Sequence, residues 1–509
     1  MPALPRSDAS SIDADKLASE ISRDIESDFI IAPHLSAVLK MSGADFVRSV
    51  LRDLESHYIG PQPPTTIMVP KPTGHFRPGA ILEPFDRVVY HAISWLAFDI
   101  APDFDGTRAI STTSRIIRDN RNGTSTRHSS WPDHSEQFTR LAHTYPYVLT
   151  LDIAHCFERI PQHALVNLLR GMGLAANAAN LAEAFLLNAR MRDSHGLLQG
   201  MLPSDYFGDL YLSRLDGHLE RHGIDAVRYV DDVLIGGASE AELRMLHLEL
   251  AEFIRRHGLQ PNESKTGVFP GIDVLKAYTQ IDQMFADAKA EVLDQLAGVD
   301  VDYGFGLDWE PTEIDPNEVT LTATKRLLAA AEENPADTDR ILRFALKPLA
   351  ILGDKSALPL ALSVFATKPY MSRPLARYFA RFPDEPAVIE KMVAVVMQPN
   401  DHAPFVVMHA VEILSLAREL QRPALNALRL LYDRGGDDTY RALAAIALAK
   451  LGDASTRGDL LASYAHQRSQ YMRLALLFAA QYFVQADRRT AKTTWATTRL
   501  GLEVAERVL

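Results

Sequence analysis

The chain has 509 residues, a net charge of −12, 47% apolar and 23% charged residues, and a single cysteine, Cys156. This is the composition of an ordinary soluble globular protein, long enough for several domains. It excludes a broadly basic nucleic-acid-binding surface, an intramolecular disulfide and a cysteine-cluster zinc site. The first residues lack an apolar signal core, and no run approaches the ~18 apolar residues of a membrane span. The expected location is cytoplasmic, with no membrane partner.

In chain order, residues 10–60 read as helical, with Phe46, Val47, Val50, Leu51 and Leu54 recurring at three- and four-residue steps. Pro61, Pro63 and Pro64 end that pattern, and Thr65-Thr66-Ile67-Met68-Val69 reads as a strand. A hairpin-like turn follows, flanked by Lys71 and Arg77. Two cations across a hairpin could clamp a triphosphate, or simply form a solvated basic loop. Helical spacing returns from Leu82 to Ala97, with Asp86 and Arg87 as a local ion pair. Residues 107–128 concentrate Arg108, Arg115, Arg118, Arg121 and Arg127 against a lone Asp119. That patch is either a loop over a nucleic-acid path or a flexible surface loop.

The apolar run Tyr147-Val148-Leu149-Thr150-Leu151 ends on Asp152, which predicts a carboxylate emerging at a strand terminus. Phe157, five residues on, begins a helical pattern and is by default a core aromatic. Helical spacing covers about residues 163–190, and a glycine-rich stretch from Gly196 passes into an apolar helix toward Leu212. Two β-branched runs then meet at Tyr229-Val230-Asp231-Asp232, predicting a tight hairpin with two adjacent carboxylates at its tip. Ser239 and Glu242 have the spacing of a capping box, Gly258 stops the helix they open, and Lys265 follows a loop.

Taken in order, these stretches resemble the reverse transcriptase family over about residues 65–270. Asp152 matches the family's first metal-binding aspartate, and Phe157 the aromatic that excludes ribose 2′-hydroxyls. Gly196, Gln199, Gly200 and Ser204 match the Gly-x-Pro-Gln-Gly-x-x-x-Ser loop, with Leu198 in place of the usual proline. Tyr229, Asp231 and Asp232 match the Tyr-x-Asp-Asp turn, Lys265 the downstream lysine, and Lys71 and Arg77 the fingers residues that hold the incoming triphosphate. The resemblance implies nucleotide binding by Lys71, Arg77, Phe157, Gln199 and Gly200. It also implies two Mg²⁺ (or Mn²⁺) ions held by Asp152, the Ile153 carbonyl, Asp231 and Asp232.

The chemistry accounts for that grouping. Nucleotidyl transfer is an in-line displacement at phosphorus assisted by two divalent ions, and hard oxygen ligands suit Mg²⁺. Asp152 and Asp231 could meet across neighbouring strands, which lie ~4.8 Å apart. Carboxylates that close raise one another's pKa, so the cluster argues for a cation. Lys265 could protonate the pyrophosphate leaving group.

Residues 298–318 read as an acidic linker, and from 319 to 509 the pattern is almost wholly helical. Leu349-Ala350-Ile351-Leu352-Gly353-Asp354 and Leu448-Ala449-Lys450-Leu451-Gly452-Asp453 look alike, and their glycines stand 99 positions apart. That separation fits three repeats of ~33 residues, with Gly as helix stop and Asp or Ser as the next N-cap, or else a plain helical bundle. The expected fold class is α+β: a fingers–palm domain over residues 1–297 (N-terminal helices about 10–60, palm motifs 147–270), then an all-α HEAT-like repeat domain. That combination resembles the abortive-infection and unknown-group branches of bacterial defence reverse transcriptases. The resemblance implies anti-phage defence, dNTPs as substrates, a single-stranded DNA product whose synthesis can be untemplated and primed by a protein hydroxyl, and homo-oligomers. Tyr58 and Tyr471 are candidate priming residues, though each is by default a packing or surface residue. The alternatives are an RNA-templated enzyme working with a non-coding RNA, and a polymerase-fold scaffold whose helical tail binds partners.

Overall fold

A computed structural model describes residues 2–55, 58–100, 111, 115–119, 124–128, 131–298, 316–333 and 338–509. Arg108 and Arg121 of the basic patch, and most of the acidic stretch at 298–318, lie outside the described residues. The chain folds as two units. One comprises residues 1–67, 78–275 and 484–509, and the other residues 68–77 and 276–483.

The first unit begins with helices α1 (Arg6–Ser11), α2 (Ala14–Asp24) and α3 (Pro33–Leu54). Asp13 starts α2 by accepting the amides of Asp15 and Lys16, which satisfies donors that have no partner within the helix. Strands β1 (Thr65–Pro70) and β2 (Phe76–Ile81) form a two-stranded sheet, followed by α4 (Pro84–Asp99). Within α4, Asp86 and Arg87 do not pair. Arg87 bonds Asp24 and Asp28, whereas Asp86 accepts the Tyr58 hydroxyl and the Gln62 amide. Neighbouring helix positions point about 100° apart, so adjacency in sequence separates their side chains.

Strands β3 (Arg115–Asp119) and β4 (Thr124–His128) pair antiparallel, so the described backbone of this basic segment is a two-stranded ribbon. After α5 (Trp131–Thr144) comes β5 (Tyr147–Asp152), then α6 (Cys156–Arg159), α7 (Gln162–Gly171), α8 (Ala176–Ala189) and α9 (Leu202–Arg221). The hairpin β6 (Ala226–Tyr229) and β7 (Asp232–Gly237), helix α10 (Glu240–Arg256) and β8 (Gly267–Pro270) complete a four-stranded antiparallel sheet in the order β6-β7-β5-β8. Leu141 of α5 packs with Val148 and Val227 on one face of this sheet. Ser239 caps α10 by accepting the Glu242 amide, while the Glu242 carboxylate reaches the Ala238 amide, one position before the expected one.

Helix α11 (Gly271–Gly298) leads into the second unit, where the further elements among the described residues are helices: α12 (Pro316–Glu333), α13 (Thr338–Leu352), α14 (Leu358–Val364), α15 (Ser372–Phe379), α16 (Pro386–Met397), α17 (Pro404–Leu416), α18 (Arg422–Arg434), α19 (Asp438–Leu451), α20 (Ala454–Ser463) and α21 (Gln470–Ala479). Helices α13, α15, α17, α19 and α21 stack in succession, with α12, α16 and α18 each laid against one of them. The two look-alike segments end differently. Gly353 stops α13 with φ +68°, whereas Gly452 is extended at φ −79°. Asp453 caps α20, but Asp354 lies outside α14 and accepts the Ser356 amide.

Residues 484–509, read from sequence as part of the helical tail, group with the first unit as α22 (Gln485–Thr494) and α23 (Arg499–Val508). Arg499 holds this return against α3: it donates to Ser49 Oγ at 3.0 Å, pairs with Asp53, and lies 4.4 Å from the Phe85 ring centroid.

Candidate active site

β5 and β7 run antiparallel with Asp152 directly opposite Asp232. Cross-strand partners share a face of the sheet, so these two carboxylates rise side by side. Asp231 occupies the two-residue turn that joins β6 to β7. Its partner in the turn, Val230, has φ +58°, and Asp231 does not share the positive φ, the pattern of a type II′ hairpin. A β-branched residue in that conformation costs roughly 1–2 kcal/mol, and something must hold it there.

Arg228 does so. Fully buried on β6, it donates Nη1 to the Val230 carbonyl at 2.8 Å. Its remaining donors reach Asp216 (2.7 and 2.6 Å) and Asp209 (2.6 Å), both on α9. Asp209 also accepts Ser111 Oγ at 3.1 Å.

Asp152 is 4% exposed, and both of its carboxylate oxygens are engaged. Asn262 Nδ2 donates to Oδ1 at 2.6 Å and Lys265 Nζ to Oδ2 at 2.8 Å. The loop bearing both residues is zipped to the end of β5 through backbone bonds: the Asn262 amide donates to the Asp152 carbonyl and the Ala154 amide to the Gln260 carbonyl, each 2.8 Å. Ile153 bridges Pro261. Loss of water around Asp232, its hydrogen bond with Asp152 and the charge of Asp231 push its carboxyl up to about 7, against the pull of Lys265. Partial burial lowers Lys265, but the Asp152 bond and the charges of Asp232, Asp152 and Asp231 outweigh it and raise the ammonium. Burial likewise pushes up the Cys156 thiol, with further upward contributions from Asp231 and Asp152. Three carboxylates therefore act on one ammonium and one thiol. Such crowding of negative charge in a partly dry site fits a divalent cation, and the Lys265 ammonium stands where positive charge is wanted.

Phe157 and Gln199 belong to a neighbouring arrangement. Phe157 is half-buried with its ring against α9, where a Cβ on Gly208 would lie 3.0 Å from Phe157 Cε1. Gln199 donates to Glu158 Oε1 at 3.3 Å, and its carbonyl accepts the Ala80 amide of β2 at 3.1 Å. Gly200 has φ +97°, and a Cβ there would come within 2.6 Å of the Phe29 ring. Asp24 anchors the loop that follows. Its Oδ1 accepts the Leu202 amide at 2.8 Å, while Oδ2 accepts Arg87 (2.6 Å) and His91 (2.9 Å). Ser204 bonds the Tyr90 hydroxyl at 2.8 Å.

The structure thus brings together Asp152, Ile153, Asp231, Asp232 and Lys265. Lys71 and Arg77 lie in residues 68–77, which group with the second unit. Tyr58 donates its hydroxyl to Asp86 at 2.8 Å, and burial together with that carboxylate pushes the phenol's pKa up. Tyr471 is 7% exposed on α21. Neither tyrosine presents an open hydroxyl. Sequence reasoning missed Asn262, Arg228, Asp209, Asp216 and Asp24. The one usable signal was Asn262, three positions before the lysine of the same loop.

An antiparallel sheet that gathers three carboxylates and an ammonium at one hairpin is suited to phosphoryl transfer. Residues 69–291 match the family described as reverse transcriptase (RNA-dependent DNA polymerase). Residues 69–291 of this chain therefore carry a reverse transcriptase-like domain. A search of curated proteins found no match. Among solved structures, telomerase from Candida albicans in complex with a fragment of telomeric RNA is 12% identical, with 65% of this chain and 64% of that chain covered and a TM-score of 0.31. Telomerase from Candida tropicalis with the same type of fragment is 11% identical, with 73% and 64% covered and a TM-score of 0.31. This chain spans less than two thirds of the length of either. Among the described residues, no helix is long and apolar enough to cross a membrane.

Proposed function

We propose that this protein synthesises DNA from dNTPs at the Asp152–Asp231–Asp232 centre. The observation that carries the reading is the register pairing of Asp152 with Asp232, one residue beyond the strained turn bearing Asp231. The donor set fits magnesium, which Asp152, the Ile153 carbonyl, Asp231 and Asp232 would hold. When bound, the metal supplies charge neutralisation and orientation for the triphosphate and the attacking hydroxyl.

The chain's own residues do the rest. Asn262 fixes the Asp152 carboxylate. Lys265, held protonated by its neighbours, is the proton donor for the leaving pyrophosphate. Phe157, braced by α9, crowds the sugar 2′ position, and Gln199 and Gly200 border the nucleotide. By the family resemblance, Lys71 and Arg77 are further candidates for binding the triphosphate.

The finer reading is anti-phage defence by untemplated, protein-primed synthesis in a homo-oligomer. Its support is the combination of a reverse transcriptase domain with a second unit of successively stacked helices; read as HEAT-like repeats, such a stack is suited to binding partners. Incubation of the purified protein with dNTPs and Mg²⁺, with and without added RNA or DNA, tests it. Protein-linked DNA formed without nucleic acid is the expected result, and mass spectrometry of the linked peptide identifies the primer. Product formed only with added RNA would replace this reading by template copying. No product under either condition would leave a polymerase-fold scaffold.

A further inference from the structure

Helix α9 carries a second cluster at its far end. His218 sits in its last turn and His222 follows directly, four positions on, so the two imidazoles share one face. Glu249 of α10 meets them, and one ligand atom from each of the three residues lies within 4.8 Å of the others. His218 Nε2 is 3.0 Å from Glu249 Oε1. His222 Nδ1 donates to the His218 carbonyl at 2.8 Å, which leaves its Nε2 as the ring's lone-pair nitrogen. A backbone carbonyl on the opposite ring nitrogen is how metal-binding histidines are usually oriented. The rings are also fixed by stacking. His218 lies 4.3 Å from His222 and 4.5 Å from Phe253 between centroids.

We propose that His218, His222 and Glu249 form a binding site for a borderline transition-metal ion of the Zn²⁺ type, separate from the carboxylate centre. Two imidazoles and one carboxylate suit Zn²⁺, Co²⁺ or Ni²⁺ rather than Mg²⁺, which prefers all-oxygen surroundings. Three protein ligands leave a fourth position for water. The ion would clamp α9 to α10. Since Asp209 and Asp216 of α9 hold Arg228, the clamp would steady the helix that supports the Val230 turn.

The test uses the full chain, stripped with a chelator and then titrated with Zn²⁺ or Co²⁺ in a large excess of Mg²⁺ that keeps the carboxylate centre filled. The expected result is one tightly bound equivalent, with Co²⁺ giving the strong visible absorption of tetrahedral coordination. His222→Gln and Glu249→Gln should each weaken binding by at least about 10-fold, the effect that even an outer-shell partner can have. Melting temperatures without metal should be unchanged, because both side chains are exposed. Wild type and His222→Gln titrating alike, or binding that is lost in Asp231→Asn instead, would overturn the proposal.

Discussion

Arg228 donates a hydrogen bond to the carbonyl of Val230, the residue held at positive φ beside Asp231. The guanidinium is fully buried and is balanced by Asp209 and Asp216. One side chain therefore couples the core of the sheet to the geometry of the turn.

Replacing Arg228 tests that coupling. Arg228→Met leaves two buried carboxylates without their cation, and removing one partner of a buried pair costs about 3–5 kcal/mol. A large fall in melting temperature is expected. Arg228→Lys keeps a charge but cannot reach Asp216 through two nitrogens while also bonding Val230. It should fold, with dNTP incorporation reduced mainly in kcat rather than KM. Wild-type kcat in Arg228→Lys would remove the positioning role.

Phe157 provides a test of sugar selection. Its ring is braced by Gly208, so its position is set by close packing rather than by a flexible side chain. Phe157→Ala should raise rNTP incorporation relative to dNTP, and Gly208→Ala, which displaces the ring by a few tenths of an ångström, should change the same ratio. Competition assays with paired rNTP and dNTP read it. An unchanged ratio in both variants would assign Phe157 to packing alone.

His34 sets a pH dependence of stability. Burial lowers its pKa to about 3, below the unfolded value of about 6.5. Below pH 6.5 the unfolded chain binds this proton and the folded chain does not. The contribution of His34 is therefore complete above pH 6.5 and is lost as the pH falls toward 3. Asp86 and Glu83 act in the opposite sense. Burial raises them to about 6 and about 7, so they favour the fold at low pH and lose that contribution as the pH rises through those values. Denaturant titrations from pH 7 down to about 4.5 should show His34→Leu losing less stability than wild type. Parallel curves would show that the histidine does not titrate with unfolding.

The strands of the candidate site were legible because their signals are local. An apolar run ending in an acid, and two β-branched runs meeting at a pair of acids, define β5 and the β6–β7 hairpin without any knowledge of what they pack against. Asp232 proved to be the first residue of β7 rather than part of the tip, a shift of one position set by the register with Asp152. The supports were illegible because their partners are distant in sequence. Asp24 lies 63 residues from Arg87 and 178 from Leu202, and the Arg228 partners sit on a helix that reads from sequence only as apolar. Adjacency misled at Asp86 and Arg87, where helical rotation sends one side chain to Tyr58 and the other to Asp24. The return of α23 to α3 had no sequence signature, since Arg499 reads as an ordinary surface residue until Asp53 and Phe85 are placed beside it.

The central claim is that Asp152, Asp231 and Asp232 act together on one metal-assisted transfer. Its most direct measurement is Mg²⁺-dependent dNTP incorporation by Asp231→Asn, with circular dichroism and melting temperature recorded on the same sample. A turn residue at the hairpin tip can lose its charge without unfolding the sheet. The expected result is therefore a native melting curve with incorporation reduced by roughly 10²–10³-fold or more, the scale on which a single preorganised electrostatic group contributes. Incorporation at the wild-type rate by a folded Asp231→Asn protein would contradict it.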